Sequence, residues 1–373
     1  MIENTILSLR VFGAGPGESI LLISNPPSDF SKVFIVDCYA TRPYDSPEKN
    51  PIVAIQPENF SWDQVEAICM THAHEDHFMG LESVGKQTTR ARWVCPNGLP
   101  IDSVVNYYDK FAKKKSSPDP INYNPRRWYA ESIRALAEWS KSKRPFHAIS
   151  DRNLIEEEDI SIKCLSPKDA ISSDYGRQLL AHWGDMLNDD YQDSPHDFHN
   201  LPSAGLIVDT TAGVRVMLLG DMVRESWEPI LEDRKLVELL EQKKADILKI
   251  PHHCSRGAIW NELLELICDP DKTKAVLTPF RLKSPPPHDE AIRLVSDHVN
   301  ELWCTVHLPR NGAVWQCDRQ DIELNMVLNN YLRNPQSSHL PPDKCMVSFE
   351  IDSNGNISTS CGEYAYQIKT PPC

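Results

Sequence analysis

The segment THAHEDHFMGL, residues 71 to 81, sets His72, His74 and His77 beside Glu75 and Asp76, directly after the apolar run VEAICM. Neither solvent nor a hydrophobic core calls for such a cluster, and no other stretch constrains the fold as much. A short, nearly continuous apolar run reads as a buried strand. The ligand-type side chains therefore begin on a loop at a strand end, where they can converge on a point while the strand stays rigid. His72 and His74 are two apart, so in an extended loop their rings project to one side. Asp76 and His77 follow, where HFMGLESVGK takes up helical spacing. Imidazole and carboxylate are the ligand types of catalytic zinc and of manganese or iron, whereas a structural zinc site usually recruits cysteine. The nearest cysteine, Cys69, lies inside the strand and reads as core.

The same residue types recur at strand ends downstream. HDFHNLPS supplies His196 and His199 ahead of a strand, VMLLGDM closes a strand on Asp221, and ILKIPHHCS does so with His252 and His253. A lone histidine is usually a surface or hydrogen-bonded core residue, but four groups at strand boundaries form a constellation. Around them, TILSLRVFG, SILLIS and KVFIVDC read as consecutive antiparallel strands. The turn GAGPGES is no dinucleotide loop: Glu18 stands where the third glycine belongs, and a strand follows where a helix is needed. It reads as a tight hairpin near the active-site side. AGLIVDTTAGVRVMLLGDM reads as a hairpin turning at TTAG, and ADILKIPHHCS and KAVLTPF as further buried strands. HDEAIRLVSDHVNELW has helical spacing, and CMVSFEIDSNGNISTSC reads as a late hairpin turning at SNGN. Strands interleaved with helices in both halves predict an α/β fold of two packed sheets with helices outside.

In this order, HxHxDH after a strand, a later histidine, Gly-Asp ending a strand and a final histidine resemble the metallo-β-lactamase superfamily. GAGPGESILLI, FIVDC, THAHEDHFMGL, Asn200 to Ser203, LLGD and LKIPHHCS are more specifically similar to its ComEC-like subgroup, named for a DNA-uptake channel protein. That subgroup reads HHGS at the last motif, and here Cys254 replaces the glycine. SPPPHDEAIRLV, with His288, is similar to its later GHP motif, without the preceding glycine. The resemblance covers roughly residues 5 to 320. It implies the αββα sandwich, two mixed sheets face to face with helices outside. It also implies two divalent ions, Zn2+ first and Mn2+ as the alternative. One would sit on His72, His74 and His199, the other on Asp76, His77 and His253, with Asp221 bridging. His199, four residues before Ser203, is preferred to His196. Between His252 and His253 the second is the expected ligand, which leaves His252 to contact substrate or shuttle a proton; the choice stays open. Asp76 is then expected to act in catalysis as well as to bind metal.

Net charge is −14, which argues against a surface that coats nucleic acid generally. It is unevenly spread: from Lys86 to Pro145 there are 13 lysines and arginines against 5 acidic residues, a local balance of +8. This segment, at about 87–150, reads as a partly helical basic insertion. In it Lys113 to Lys115 and Arg126–Arg127, beside Trp128 and Tyr129, could grip a phosphate chain while an aromatic stacks on a base. The plainer reading is that these aromatics pack the insertion against the core. Ser255 and His288 complete the substrate-binding candidates. Residues 1–320 are expected to form the hydrolase domain. Residues 321–373 are expected to form an extension with a hairpin that covers the site, contacts another copy or serves as an adaptor surface.

Eleven scattered cysteines without a CxxC pair suggest reduced thiols in a cytoplasmic protein. No secretory signal is visible, and no apolar run is long enough to span a bilayer, so no membrane partner is expected. The expected activity is hydrolysis of a phosphodiester, nucleic acid among the candidates, by hydroxide activated at two metals. A small-molecule ester, thioester or lactam hydrolase is the alternative, favoured by the acidic remainder of the chain. A non-catalytic metal-binding interaction module is a third reading, disfavoured because such a module has little reason to keep all seven ligands.

Overall fold

The computed structural model describes residues 4–13, 17–26, 28, 30–40, 46–96, 134–138, 145–187, 199–280, 286–306 and 340–368. Two eight-stranded mixed sheets form the centre. The first runs β15-β14-β1-β2-β3-β4-β5-β6. Its strands are β1 (Thr5–Phe12), β2 (Ser19–Ser24), β3 (Lys32–Cys38), β4 (Val65–Cys69), β5 (Arg92–Pro96), β6 (Pro145–Ala148), β14 (Met346–Asp352) and β15 (Ile357–Cys361). The second runs β16-β13-β12-β11-β10-β9-β8-β7. It contains β7 (Asn153–Glu156), β8 (Ile160–Cys164), β9 (Leu206–Thr210), β10 (Arg215–Leu218), β11 (Ile247–Lys249), β12 (Lys274–Leu277), β13 (Glu301–Cys304) and β16 (Tyr366–Ile368). Each sheet joins an antiparallel half to a parallel one: β1 to β3 pair antiparallel and β3 to β6 parallel, while β7 to β10 pair antiparallel and β10 to β13 parallel.

Period-two alternation sorts the side chains into layers. In β2, Ile20 and Leu22 face the space between the sheets, where they meet Leu206, Val208, Val216 and Ile247 of the second sheet. Leu21 and Ile23 face the other way, against Ile52, Phe78, Leu81 and Val84. On the far side of the second sheet, Met217 and Leu248 pack on Trp227, Leu236, Leu240 and Leu263. Helix, sheet, sheet and helix thus stack in four layers around three apolar interfaces, the αββα sandwich that the resemblance implies. The outer helices include Pro51–Asn59, Leu81–Gln87, Arg224–Leu231, Arg234–Gln242 and Asn261–Ile267.

Two expectations need correction. The C-terminal hairpin is no appended extension: β14 sits between β15 and β1 inside the first sheet, and β16 pairs with β13 at the edge of the second. Val347, Phe349 and Ile351 alternate into the core between the sheets. The helix read through HDEAIRLVSDHVNELW ends at Ser296, and Glu301–Cys304 is strand β13. The apolar spacing of the helix runs on by chance into an alternating strand. The basic segment is described only at residues 86–96, 134–138 and 145–150; Arg126, Arg127, Lys113 to Lys115, Trp128 and Tyr129 lie outside the described residues. The nine described cysteines are all free. Among the described residues no helix is long and apolar enough to cross a membrane.

Candidate metal centre

One edge of the sandwich gathers the ligand-type residues, because the chain reaches that edge wherever a parallel strand ends. His72 and His74 follow β4, and Asp76 and His77 lie on the short helix Glu75–Phe78 after them. Asp221 follows β10, and His252 and His253 follow β11. His199 precedes β9, whose antiparallel pairing with β10 brings its start to the same edge.

Asp76, His77, Asp221 and His253 form the compact heart of the site, with one ligand atom of each within 4.8 Å of the others. His253 Nε2 lies 3.0 Å from Asp76 Oδ2 and 3.4 Å from Asp221 Oδ2. His77 Nε2 lies 3.5 Å from Asp76 Oδ2 and 3.4 Å from Asp221 Oδ1. Ligands about 2.1 Å from a shared tetrahedral ion sit roughly 3.4 Å apart, so these spacings suit a divalent cation. A second observation agrees: His72 Nε2, His77 Nε2 and Asp221 Oδ1 are buried without a hydrogen-bond partner. Such orphaned polar atoms are costly unless something pairs with them. The donor set fits a metal.

His72, His74 and His199 line the adjoining side. His72 Nε2 is 3.9 Å from Asp221 Oδ2, and the ring centres run His72 to His74 at 5.4 Å and His74 to His199 at 5.6 Å. His252 points elsewhere. Its Nε2 meets the Asn200 side-chain amide at 3.0 Å, its Nδ1 meets Ser255 Oγ at 2.9 Å, and its ring centre is 6.4 Å from that of His253. It is half-buried at the rim. Ser255 therefore reaches the site through His252. His288 is tied to the turn by its backbone, whose N–H donates to the Cys254 carbonyl at 3.1 Å. His196 lies outside the described residues.

The supporting shell holds residues that the motif reading did not single out. Asp37, at the end of β3, accepts from the Thr71 backbone N–H at 2.7 Å and from Thr71 Oγ1 at 2.6 Å, and binds His77 Nδ1 at 2.7 Å. The His253 Nδ1–H donates to the Thr278 carbonyl at 2.8 Å. Tyr175, on helix Asp169–Leu187, bonds His199 Nδ1 at 3.1 Å. With their Nδ1 atoms engaged, His77, His253 and His199 are oriented to present Nε2, the usual arrangement for metal-ligating imidazoles. Ser203 Oγ accepts from the Asp221 backbone N–H at 2.9 Å, which fixes the strand-end aspartate. Asp37 sits within FIVDC, but only its strand neighbours reveal its role.

Electrostatics bind the cluster together. Burial disfavours charge on every member, yet His253 and His77 hold the Asp221 carboxyl well below its usual range. Burial likewise works against the His77 cation, and Asp221, Asp76 and Asp37 outweigh it and hold its pKa well above normal. His253 is raised to about 10, with burial overcome by Asp221 and Asp76. His72 goes the other way: burial and the neighbouring His77 push it well below normal, which leaves a neutral imidazole.

A model of the metallo-beta-lactamase superfamily matches residues 17–159, the span from just before β2 through β7 that includes the histidine-rich loop. No curated protein sequence matches the chain. Solved structures similar to it include a metallo-beta-lactamase HARLDQ-motif mutant from Cronobacter sakazakii, at 12% identity, 64% of this chain, 75% of that one and a TM-score of 0.34. The short form of human tRNase Z matches at 14% identity, 73% of this chain, 92% of that one and a TM-score of 0.35.

Proposed function

We propose that this chain, whose residues 17–159 match the metallo-beta-lactamase superfamily, is a metal-dependent hydrolase, and within that class a phosphodiesterase of nuclease type. The observation that carries the reading is the convergence of two carboxylates and two imidazoles within 4.8 Å, backed by orphaned nitrogens on His72 and His77. His72, His74 and His199 would hold one ion, Asp76, His77 and His253 the other, with Asp221 between them. Zinc suits the imidazole-rich set best, and manganese is the alternative. Two bound ions would lower the pKa of water to near 7 and stabilise the attacking and leaving oxygens of an in-line displacement.

The chain's own residues do the rest. Asp37 and Thr278, both acceptors, keep the proton on Nδ1 of His77 and His253, and Tyr175 orients the His199 ring. Asp76 reaches the centre from the first sheet and Asp221 from the second, so closing the site needs both. His252, held between Asn200 and Ser255 at the rim, would contact the substrate or pass a proton to a leaving group, a role its distance from the cluster supports. A phosphodiester fits because a centre of two divalent ions, two carboxylates and neutral imidazoles keeps a formal positive charge that draws an anionic oxygen. The finer likeness to the ComEC-like subgroup rests on the motifs through LKIPHHCS and supports the same substrate class. The basic segment at about 87–150, with Arg126 and Arg127, would extend the grip to a longer phosphate chain.

A panel of metals against a chromogenic phosphodiester, single-stranded and duplex nucleic acids, a lactam and a thioester tests the reading, run beside Asp76→Ala and His77→Ala. Phosphodiester turnover with zinc or manganese is expected, with each variant losing at least about 100-fold. Turnover of only the lactam or thioester moves the chain to the small-molecule class. Bound metal without any turnover leaves the non-catalytic metal-binding module, and no bound metal at all a degenerate fold.

A further inference from the structure

Glu18 and Lys249 form an ion pair with both side chains fully buried, and neither belongs to the proposed ligand set. Burying two charges costs several kcal/mol per ion, and their attraction often does no more than offset that. Stability alone therefore does not explain the pair. Its place in the fold does. Glu18 leads into β2 of the first sheet and Lys249 ends β11 of the second, so the pair joins the two sheets at their ligand-bearing edge.

From each partner, bonds run to the ligand segments. The Glu18 backbone N–H donates to the Asp76 carbonyl at 3.1 Å. Its carboxylate accepts from Thr278 Oγ1 at 2.7 Å, and the Thr278 carbonyl is the acceptor for His253. Glu18 Oε1 stands 3.8 Å from His77 Nδ1. Lys249 Nζ donates to the Gly220 carbonyl at 3.2 Å and stands 4.0 Å from Asp221 Oδ1. Asp76 and His77 come from the first sheet, Asp221 and His253 from the second. The spacing across the cluster depends on how the two edges are fastened, and this pair is the charged fastening beside neutral ones such as the Ala204 N–H to the Thr71 carbonyl at 2.8 Å.

We propose that Glu18 and Lys249 are positioning residues whose ion pair sets the spacing of the metal ligands contributed by the two sheets. The proposal rests on the metal-hydrolase reading. Its test replaces the pair with a nearly isosteric uncharged one, Glu18→Gln with Lys249→Met. Zinc and manganese stoichiometry and affinity are read by competition with a chromogenic chelator, and urea unfolding of the metal-free proteins is read in parallel. Exchange of a buried ion pair for uncharged side chains of similar volume is often neutral or stabilising, so the double variant should unfold near the wild-type midpoint. Loss of a supporting partner commonly weakens metal binding about 10- to 100-fold, and a loss of at least about tenfold is expected here. Wild-type affinity in the folded double variant overturns the proposal. A wild-type protein that takes up no divalent ion overturns the metal reading instead, which is a different result. If the double variant fails to fold, Glu18→Gln alone decides, because it removes the charge that pairs with Lys249 and keeps an oxygen to accept from Thr278 Oγ1. Weakened metal binding then supports the proposal and unchanged binding overturns it.

Discussion

At the scale of single residues the site is built on backbone that most side chains avoid. His252, His253 and Cys254 have φ of 46°, 51° and 64°, three consecutive left-handed residues. Each such residue costs an ordinary side chain about 1–2 kcal/mol, and strain of this kind gathers at functional sites. Here it turns the His253 ring inward to Asp76 and Asp221 and leaves His252 at the rim. Cys254 keeps the left-handed backbone and is buried in the core beneath the turn. Gly220 is the sharper constraint. Its φ is +50°, and a Cβ there would lie 2.6 Å from Ser203 Oγ and 3.0 Å from Thr71 Cβ. Gly220→Ala should therefore displace the Ser203 hydroxyl that holds the Asp221 N–H. A destabilisation of about 1–3 kcal/mol is expected by urea titration, with metal affinity reduced at least about tenfold. A variant with wild-type metal binding would contradict this. The convergence of Asp76, His77, Asp221 and His253 was foreshadowed because those residue types are conspicuous at strand ends. The roles of Asp37 and Lys249 were not, since a carboxylate or lysine inside an apolar run declares its role only beside its neighbours in space, and Glu18 and Tyr175 show theirs only through partners distant in the chain.

At the scale of elements, strand positions were legible and strand partners were not. Short apolar runs bounded by turn signals marked β1, β2, β3, β9 and β10, as strands buried on both faces do in a sequence, and the turn SNGN marked the β14–β15 hairpin. Nothing local says that Leu9 of β1 stands opposite Phe349 of β14, at the far end of the chain. For that reason the C-terminal hairpin read as an appendage although it lies within the sheet. Phe349 has no exposed surface and packs between the sheets, so Phe349→Ala should cost about 3–5 kcal/mol. Removal of residues from 341 onward should do more: it strips β14 from β1 and leaves a long apolar edge, a setting for aggregation. Chemical denaturation of the point variant and light scattering of the truncation check both. If the truncated protein scatters light as the full chain does and matches it in metal binding, the hairpin is dispensable after all.

At the scale of the whole molecule, the two sheets meet at an edge where protons and a bound metal would compete for the same side chains. Without metal, His253 titrates at about 10, and His77 is shifted in the same direction, by Asp221 and Asp76 against burial. An unfolded histidine titrates near 6.5. A group whose folded pKa is raised contributes stability in full below the unfolded value and loses it as pH rises through the folded one. The metal-free protein should therefore weaken between about pH 6.5 and 10 as His253 loses its proton beside the carboxylates, with His77 contributing in the same direction. Metal binding has the opposite slope, because it needs neutral imidazole and must expel those protons. Affinity should rise with pH over the same window, and saturating zinc should raise the melting temperature more at pH 9 than at pH 7. Calorimetry in buffers of different ionisation enthalpy should show protons released at pH 7 as metal binds. Melting temperatures of the metal-free protein that hold level from pH 7 to 10, or zinc uptake without proton release, would mean that His77 and His253 are not the groups the metal displaces. Asp76 and Asp221 would then be carrying the ion without the imidazoles that the fold has aimed at it.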